Sequence, residues 1–167
     1  HKNLFMKKLF FTILILIFYG FSAQSNEENM WSFSVGQFDI NYKDKDSSEI
    51  RFEYLYGNNL FRNHYDLKPF LGVMRNGDDG TYFYSGLRKD IEISEKWYFT
   101  PSFAMGYYDR GDSKDLGYNL EFRSQIEFSY KLKSSRIGFN LNHISNASIG
   151  DTNPGTESAT ISIIRPF

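Results

Sequence analysis

His143 and Ser145 are separated by a single residue, and Glu157 follows twelve positions later. A serine hydroxyl becomes a useful nucleophile when a base removes its proton, and imidazole titrates in the range that suits that task. A carboxylate beside the imidazole fixes its tautomer and stabilises the charge it acquires. Together these residue types could hydrolyse an ester. The spacing is informative only if the chain is extended there. On a β-strand, positions i and i+2 share a face and lie about 6.6 Å apart, close enough for side chains to lean into contact. The other candidates are weaker. His64 sits in the polar run Arg62-Asn63-His64-Tyr65-Asp66, read as a solvated loop. Two separated histidines make a poor metal constellation. The absence of cysteine excludes disulfides and thiol nucleophiles.

The elements that must carry these residues show two-residue periodicity. From Leu120 to Leu132, even positions read Leu, Phe, Ser, Ile, Phe, Tyr, Leu and odd positions Glu, Arg, Gln, Glu, Ser, Lys. Thirteen alternating residues exceed the roughly 5–6 of an ordinary strand and suit a membrane strand of about 9–11. Similar alternation runs through Ile50 to Tyr56, Phe99 to Tyr107, Ile137 to Leu141 and Ala159 to Phe167. Turn-forming clusters separate these runs, among them Asn76 to Gly80, Asp109 to Asp115 and Asn153-Pro154-Gly155. Eight strands are expected, over 31–42, 49–57, 66–75, 81–93, 97–108, 117–132, 135–145 and 157–167. A bulge is expected near Gly36-Gln37, where the apolar phase shifts from Trp31, Phe33 and Val35 to Phe38, Ile40 and Tyr42.

An apolar exterior around a polar interior inverts the soluble rule, and closure into a barrel satisfies every backbone donor and acceptor in lipid. The expected fold is therefore all-β: an eight-stranded antiparallel transmembrane β-barrel. At this size side chains fill the lumen. Arg51, Glu53, Arg123, Glu127 and Asn140 are expected inside it as a structural network. The 17 Phe, 12 Tyr and 2 Trp suit aromatic girdles at the two membrane interfaces.

The N-terminus fits export. Met6-Lys7-Lys8 precedes an apolar run from Leu9 to Phe21, followed by Ser22-Ala23-Gln24-Ser25. This has the layout of a cleavable signal peptide and is shorter than the roughly 20 residues of a spanning helix. Residues 1–25 are thus expected to comprise upstream residues and a signal peptide, and 26–167 the barrel domain. Cleavage is expected after Ser25 or Ala23. Without Lys2, Lys7 and Lys8 the chain carries 16 basic against 20 acidic residues. That balance gives no sign of the basic face typical of nucleic-acid binding.

Parity then locates the chemistry. His143 and Ser145 share the face of Ile137, Phe139 and Leu141, and Glu157 shares that of Ala159, Ile161 and Ile163. All three point toward lipid, where polar groups are costly and are functional candidates. The last two strands are neighbours, so Glu157 can lie across from His143. Parity alone leaves a second reading open: polar residues at strand ends near the headgroups. With both termini in the periplasm, the three residues reach the external rim and open toward the outer leaflet.

His143-Ile144-Ser145-Asn146-Ala147, Asn153-Pro154-Gly155 and Glu157 resemble the signature of the PagL-type lipid A 3-O-deacylases over residues 136–167. That resemblance implies an eight-stranded outer-membrane barrel with Ser145 as nucleophile, His143 as base and Glu157 as orienting acid. It implies hydrolysis of the ester-linked 3-hydroxyacyl chain at the 3 position of lipid A, with no metal or cofactor. For the oxyanion hole, Asn153 and backbone amides around 146–155 are the candidates, and Asn146 is a candidate for support or for capping the loop. Position 144 is Ile where an aromatic often occurs, which bears on substrate contacts there. The terminal Phe167 resembles the aromatic that the barrel-assembly machinery recognises. The competing readings are an outer-membrane phospholipase or esterase acting on glycerophospholipids, and a non-enzymatic structural barrel.

Overall fold

The computed structural model describes residues 28–41, 47–60 and 65–167. The expected signal peptide and His64 lie outside the described residues. The strands are β1 (Met30–Phe38), β2 (Ser47–Leu55), β3 (Lys68–Asn76), β4 (Thr81–Arg88), β5 (Ile91–Glu92), β6 (Trp97–Asp109), β7 (Leu120–Lys131), β8 (Arg136–Ser145) and β9 (Thr156–Pro166). They form one antiparallel sheet that closes on itself: β1 pairs with both β2 and β9, and β6 pairs with β4, β5 and β7.

The short β5 continues the line of β4 along β6, so the barrel has eight strands, one of them interrupted. Pro101 accounts for the break. Its carbonyl accepts the Lys89 N–H at 3.1 Å, so its missing N–H is the donor that the interrupted strand would need. Expected and observed strands otherwise agree to within about four residues at each end, as boundary assignments usually do.

The wall has the expected inverted polarity. Phe33, Phe52, Phe103, Phe128, Phe139 and Ile161 stand on the exposed outer face. Arg51, Glu53, Arg123, Glu127 and Asn140 are all buried in the interior. Arg123 Nη2 donates to Glu53 Oε1 at 2.9 Å, and Tyr84 OH donates to the same oxygen at 2.8 Å. Arg51 pairs with Glu49 and donates through Nη1 to Gln125 Oε1 at 2.8 Å. At the mouth near the termini, Arg88, Lys68 and Arg136 surround Asp90.

Two expectations need correction. The aromatic surplus is not confined to girdles. Tyr82, Tyr84, Tyr108, Phe38 and Phe70 are buried in the lumen, where their bulk fills an interior too narrow for a pore. On the outer face, Tyr54 contacts Tyr56 and Phe167, and Trp97 contacts Tyr130, near the end that carries the termini. The second correction concerns the bulge. β1 pairs without interruption from Met30 to Phe38 on both sides, so nothing bulges at Gly36-Gln37. Phe38 points inward and breaks the apparent phase. The extra residue is Asp39, with φ +56°: Phe38 faces Ser158, yet the Ile40 N–H already donates to the Glu157 carbonyl at 2.9 Å.

Candidate active site

The site lies at the end of the barrel away from the described termini, where β8 ends and β9 begins. Extended backbone alternates side chains between faces, so Asn140, Asn142 and Ile144 turn inward while Leu141 and His143 turn outward. The same alternation puts Ser145 on the His143 face. The β8–β9 register pairs His143 directly with Glu157.

His143 Nδ1 and Glu157 Oε1 are 2.9 Å apart. An ionised carboxylate only accepts hydrogen bonds, so Nδ1 carries the proton and Nε2 is left as the acceptor. That is the tautomer a general base requires. Among the described residues Ser145 Oγ makes no hydrogen bond, either to His143 Nε2 or to any other group. Both His143 and Glu157 are about half exposed, at 47% and 40% of the side chain. The pair therefore opens outward from the wall.

Gly155 explains how the imidazole fits. Its backbone is left-handed at φ +63°, and a Cβ there would stand 2.9 Å from His143 Cε1. Any larger residue would meet both backbone strain and the ring. This gives the Asn-Pro-Gly turn a local physical role beyond reversing the chain.

The loop between β8 and β9 is held from inside. Asn146 is buried, and its Nδ2 donates to the carbonyls of Leu116 (2.8 Å) and Thr152 (2.7 Å). These bonds tie the site to the segment before β7 and favour the supporting role for Asn146. The Asn146 N–H donates to Asn153 Oδ1 at 3.0 Å. Asn153 is thereby oriented with its Nδ2 on the exposed side, 3.4 Å from Ser148 Oγ. Ala147 and Ser148 are both left-handed, at φ +53° and +61°, so the chain turns sharply immediately after Ser145. Ile144, noted for substrate contacts, is buried inside the barrel and cannot touch a ligand on the outer face.

Sequence reasoning missed the residues contributed from the other side of the seam. Asn41 Nδ2 donates to Glu157 Oε2 at 2.8 Å. Buried Asp39 accepts from Lys114 Nζ at 2.8 Å and from Thr156 Oγ1 at 3.0 Å. A usable signal existed: barrel closure makes the first strand the neighbour of the last, so polar residues just beyond β1 belong beside the start of β9.

Comparison with known proteins agrees with this architecture. Residues 31–164 match the family model described as lipid A 3-O-deacylase (PagL). The crystal structure of the outer membrane enzyme PagL superposes with TM-score 0.59 at 15% identity, covering 83% of this chain and 99% of that one. A de novo designed transmembrane β-barrel gives 0.61 at 11% identity, covering 86% and 98%. The Yersinia pestis outer membrane protein Ail gives 0.51 at 13% identity, covering 84% and 100%. At these identities the structural likenesses establish the fold. No curated protein matches significantly.

Proposed function

The chain belongs to the lipid A 3-O-deacylase (PagL) family, and from that premise we propose that Ser145, His143 and Glu157 carry out its reaction at the outer-leaflet rim of the barrel. The protein is an outer-membrane β-barrel hydrolase, a lipid A deacylase. The observation that carries the residue assignment is the 2.9 Å contact between His143 Nδ1 and Glu157 Oε1 with Ser145 next on the same face.

In this reading His143 Nε2 takes the Ser145 proton as Oγ attacks the ester carbonyl carbon at the 3 position of lipid A. The tetrahedral oxyanion collapses, and His143 returns the proton to the departing sugar oxygen. The acyl chain is left on Ser145. Water, deprotonated by the same imidazole, then releases it as the 3-hydroxy fatty acid. Glu157 stabilises the imidazolium at both steps. The oxyanion requires donors aimed at it before the charge develops. Asn153 Nδ2, oriented by Asn146, and backbone N–H groups of the 147–148 turn are the proposed set. The half-exposed outward face lets an ester reach Ser145 laterally while its acyl chain stays in the bilayer. Phe167 is proposed as an aromatic read by the assembly machinery. It is two-thirds exposed and packs on Tyr54.

The test is mass spectrometry of lipid A from cells expressing the full chain. Loss of one 3-hydroxyacyl group is expected with the unaltered protein, and none with folded Ser145→Ala or His143→Ala. Removing a member of such a triad costs on the order of 10⁴-fold or more. Full deacylation by Ser145→Ala would end the residue assignment, and unchanged lipid A beside phospholipid breakdown would redirect the substrate.

A further inference from the structure

We propose that Asn41 is a positioning residue for this reaction: it fixes the Glu157 carboxylate in the orientation that serves His143. The inference rests on the triad reading above. Glu157 is a half-exposed side chain on an outer face, where a carboxylate with one anchor is free to swing. Its two oxygens are instead held from two directions. Oε1 meets His143 on β8, and Oε2 accepts from Asn41 Nδ2 at 2.8 Å. The second anchor lies 116 residues away in the chain, so only barrel closure supplies it.

The segment that delivers Asn41 is itself secured twice. Left-handed Asp39 adds one residue to the β1 edge, after which the Ile40 N–H returns to the Glu157 carbonyl at 2.9 Å. The Asp39 side chain is buried and bonded to Lys114 Nζ and to Thr156, the residue directly before Glu157. Backbone and side chain thus fix the path on either side of Ile40, and Asn41 follows.

The choice of an amide matters. Among the described residues, the charged groups near Glu157 besides His143 are Lys114, from the segment before β7, and Asp39, from the segment after β1. They are paired with each other. Asn41 adds a hydrogen bond without adding charge, so the carboxylate keeps its full effect on the imidazolium. An arginine at this position would hold Glu157 as firmly but would weaken that effect.

The experiment compares Asn41→Ala, Asn41→Gln and Asn41→Asp with His143→Ala, using the full chain refolded in detergent micelles with lipid A as substrate. Folding is checked by heat-modifiable gel mobility. Asn41→Ala is expected to lower kcat about three- to ten-fold with KM unchanged, the scale of one hydrogen bond. Asn41→Gln, which keeps the donor, retains more of kcat than Asn41→Ala. Asn41→Asp places a second carboxylate against Glu157, stabilises the imidazolium and moves the acid limb of the kcat–pH profile to higher pH. Unchanged kcat and an unshifted acid limb in all three, with His143→Ala inactive, overturns the role of Asn41 and leaves the triad standing. An equal fall in all three without a pH shift also overturns it, because that pattern is structural. Activity in His143→Ala overturns the reading beneath.

Discussion

Among the described residues, Glu53, inside the barrel, and Glu157, on its outer rim, each accept two side-chain hydrogen bonds, but from different kinds of donor. Glu53 is held by the Arg123 guanidinium and the Tyr84 hydroxyl, with Arg123 stacked over the Tyr84 ring at 4.2 Å. Glu157 is held by an imidazole and an amide. Guanidinium stays charged at every accessible pH, so the Glu53 pair is a permanent fixture whose charges cancel. Imidazole can take up a proton and hand it on, so Glu157 faces a partner whose charge can change during a reaction. The partner, more than the carboxylate itself, decides whether the group braces the wall or takes part in chemistry.

One substitution made at both sites tests that distinction. Glu157→Gln preserves shape but removes the charge, and its amide can present a donor to Nδ1 and favour the wrong tautomer. A loss on the order of 10⁴ in kcat is expected, with no change in the urea midpoint of the barrel. Deacylation within three-fold of the unaltered enzyme would show that Glu157 only decorates the rim.

Glu53→Gln should do the reverse. It leaves a buried guanidinium without a counter-charge, which costs about 3 kcal/mol, the low end of the usual range, because the Tyr84 and Phe70 rings still face Arg123. Urea unfolding in micelles should show the lower midpoint, while kcat per folded molecule holds. A large fall in kcat at unchanged stability would mean the interior network reaches the site, and the contrast between the two carboxylates would fail.

Much of this contrast is legible in the sequence because strand parity is a local signal. Parity alone assigns Arg123 and Asn140 to the lumen and His143, Ser145 and Glu157 to the outer face, and the short connection between the last strands brings Glu157 across from His143. What parity cannot carry is contact across the closing seam. The Asn41 bond depends on a single inserted residue, and its position shows only in the φ of Asp39 and the return of Ile40 to β9. The phase shift in β1 was visible, yet inward-facing Phe38 disguised its place by two or three residues. The tyrosines were ambiguous for a related reason. An eight-stranded lumen accepts aromatic bulk as readily as an interface does, and composition does not separate the two.

The opposite mouth of the barrel supplies the smallest and cleanest extension of the comparison. Asp90 sits in the break between β4 and β5. Arg88 pairs with it, and Lys68 and Arg136 each stand 3.8 Å from its Oδ2. Asp90→Asn keeps the shape and removes the charge, so three cations lose their counter-charge and the barrel should lose stability at pH 7 but not in acid, where Asp90 is itself protonated. Other carboxylates titrate over the same range, so the informative quantity is a difference. Urea midpoints of the unaltered chain and Asp90→Asn should stand apart at pH 7 and converge once the pH is low enough to protonate Asp90, where the two side chains carry the same charge. Curves that stay equally far apart at both pH values would mean that Asp90 works through packing, and that a cluster of three cations around one carboxylate is not by itself an electrostatic clamp.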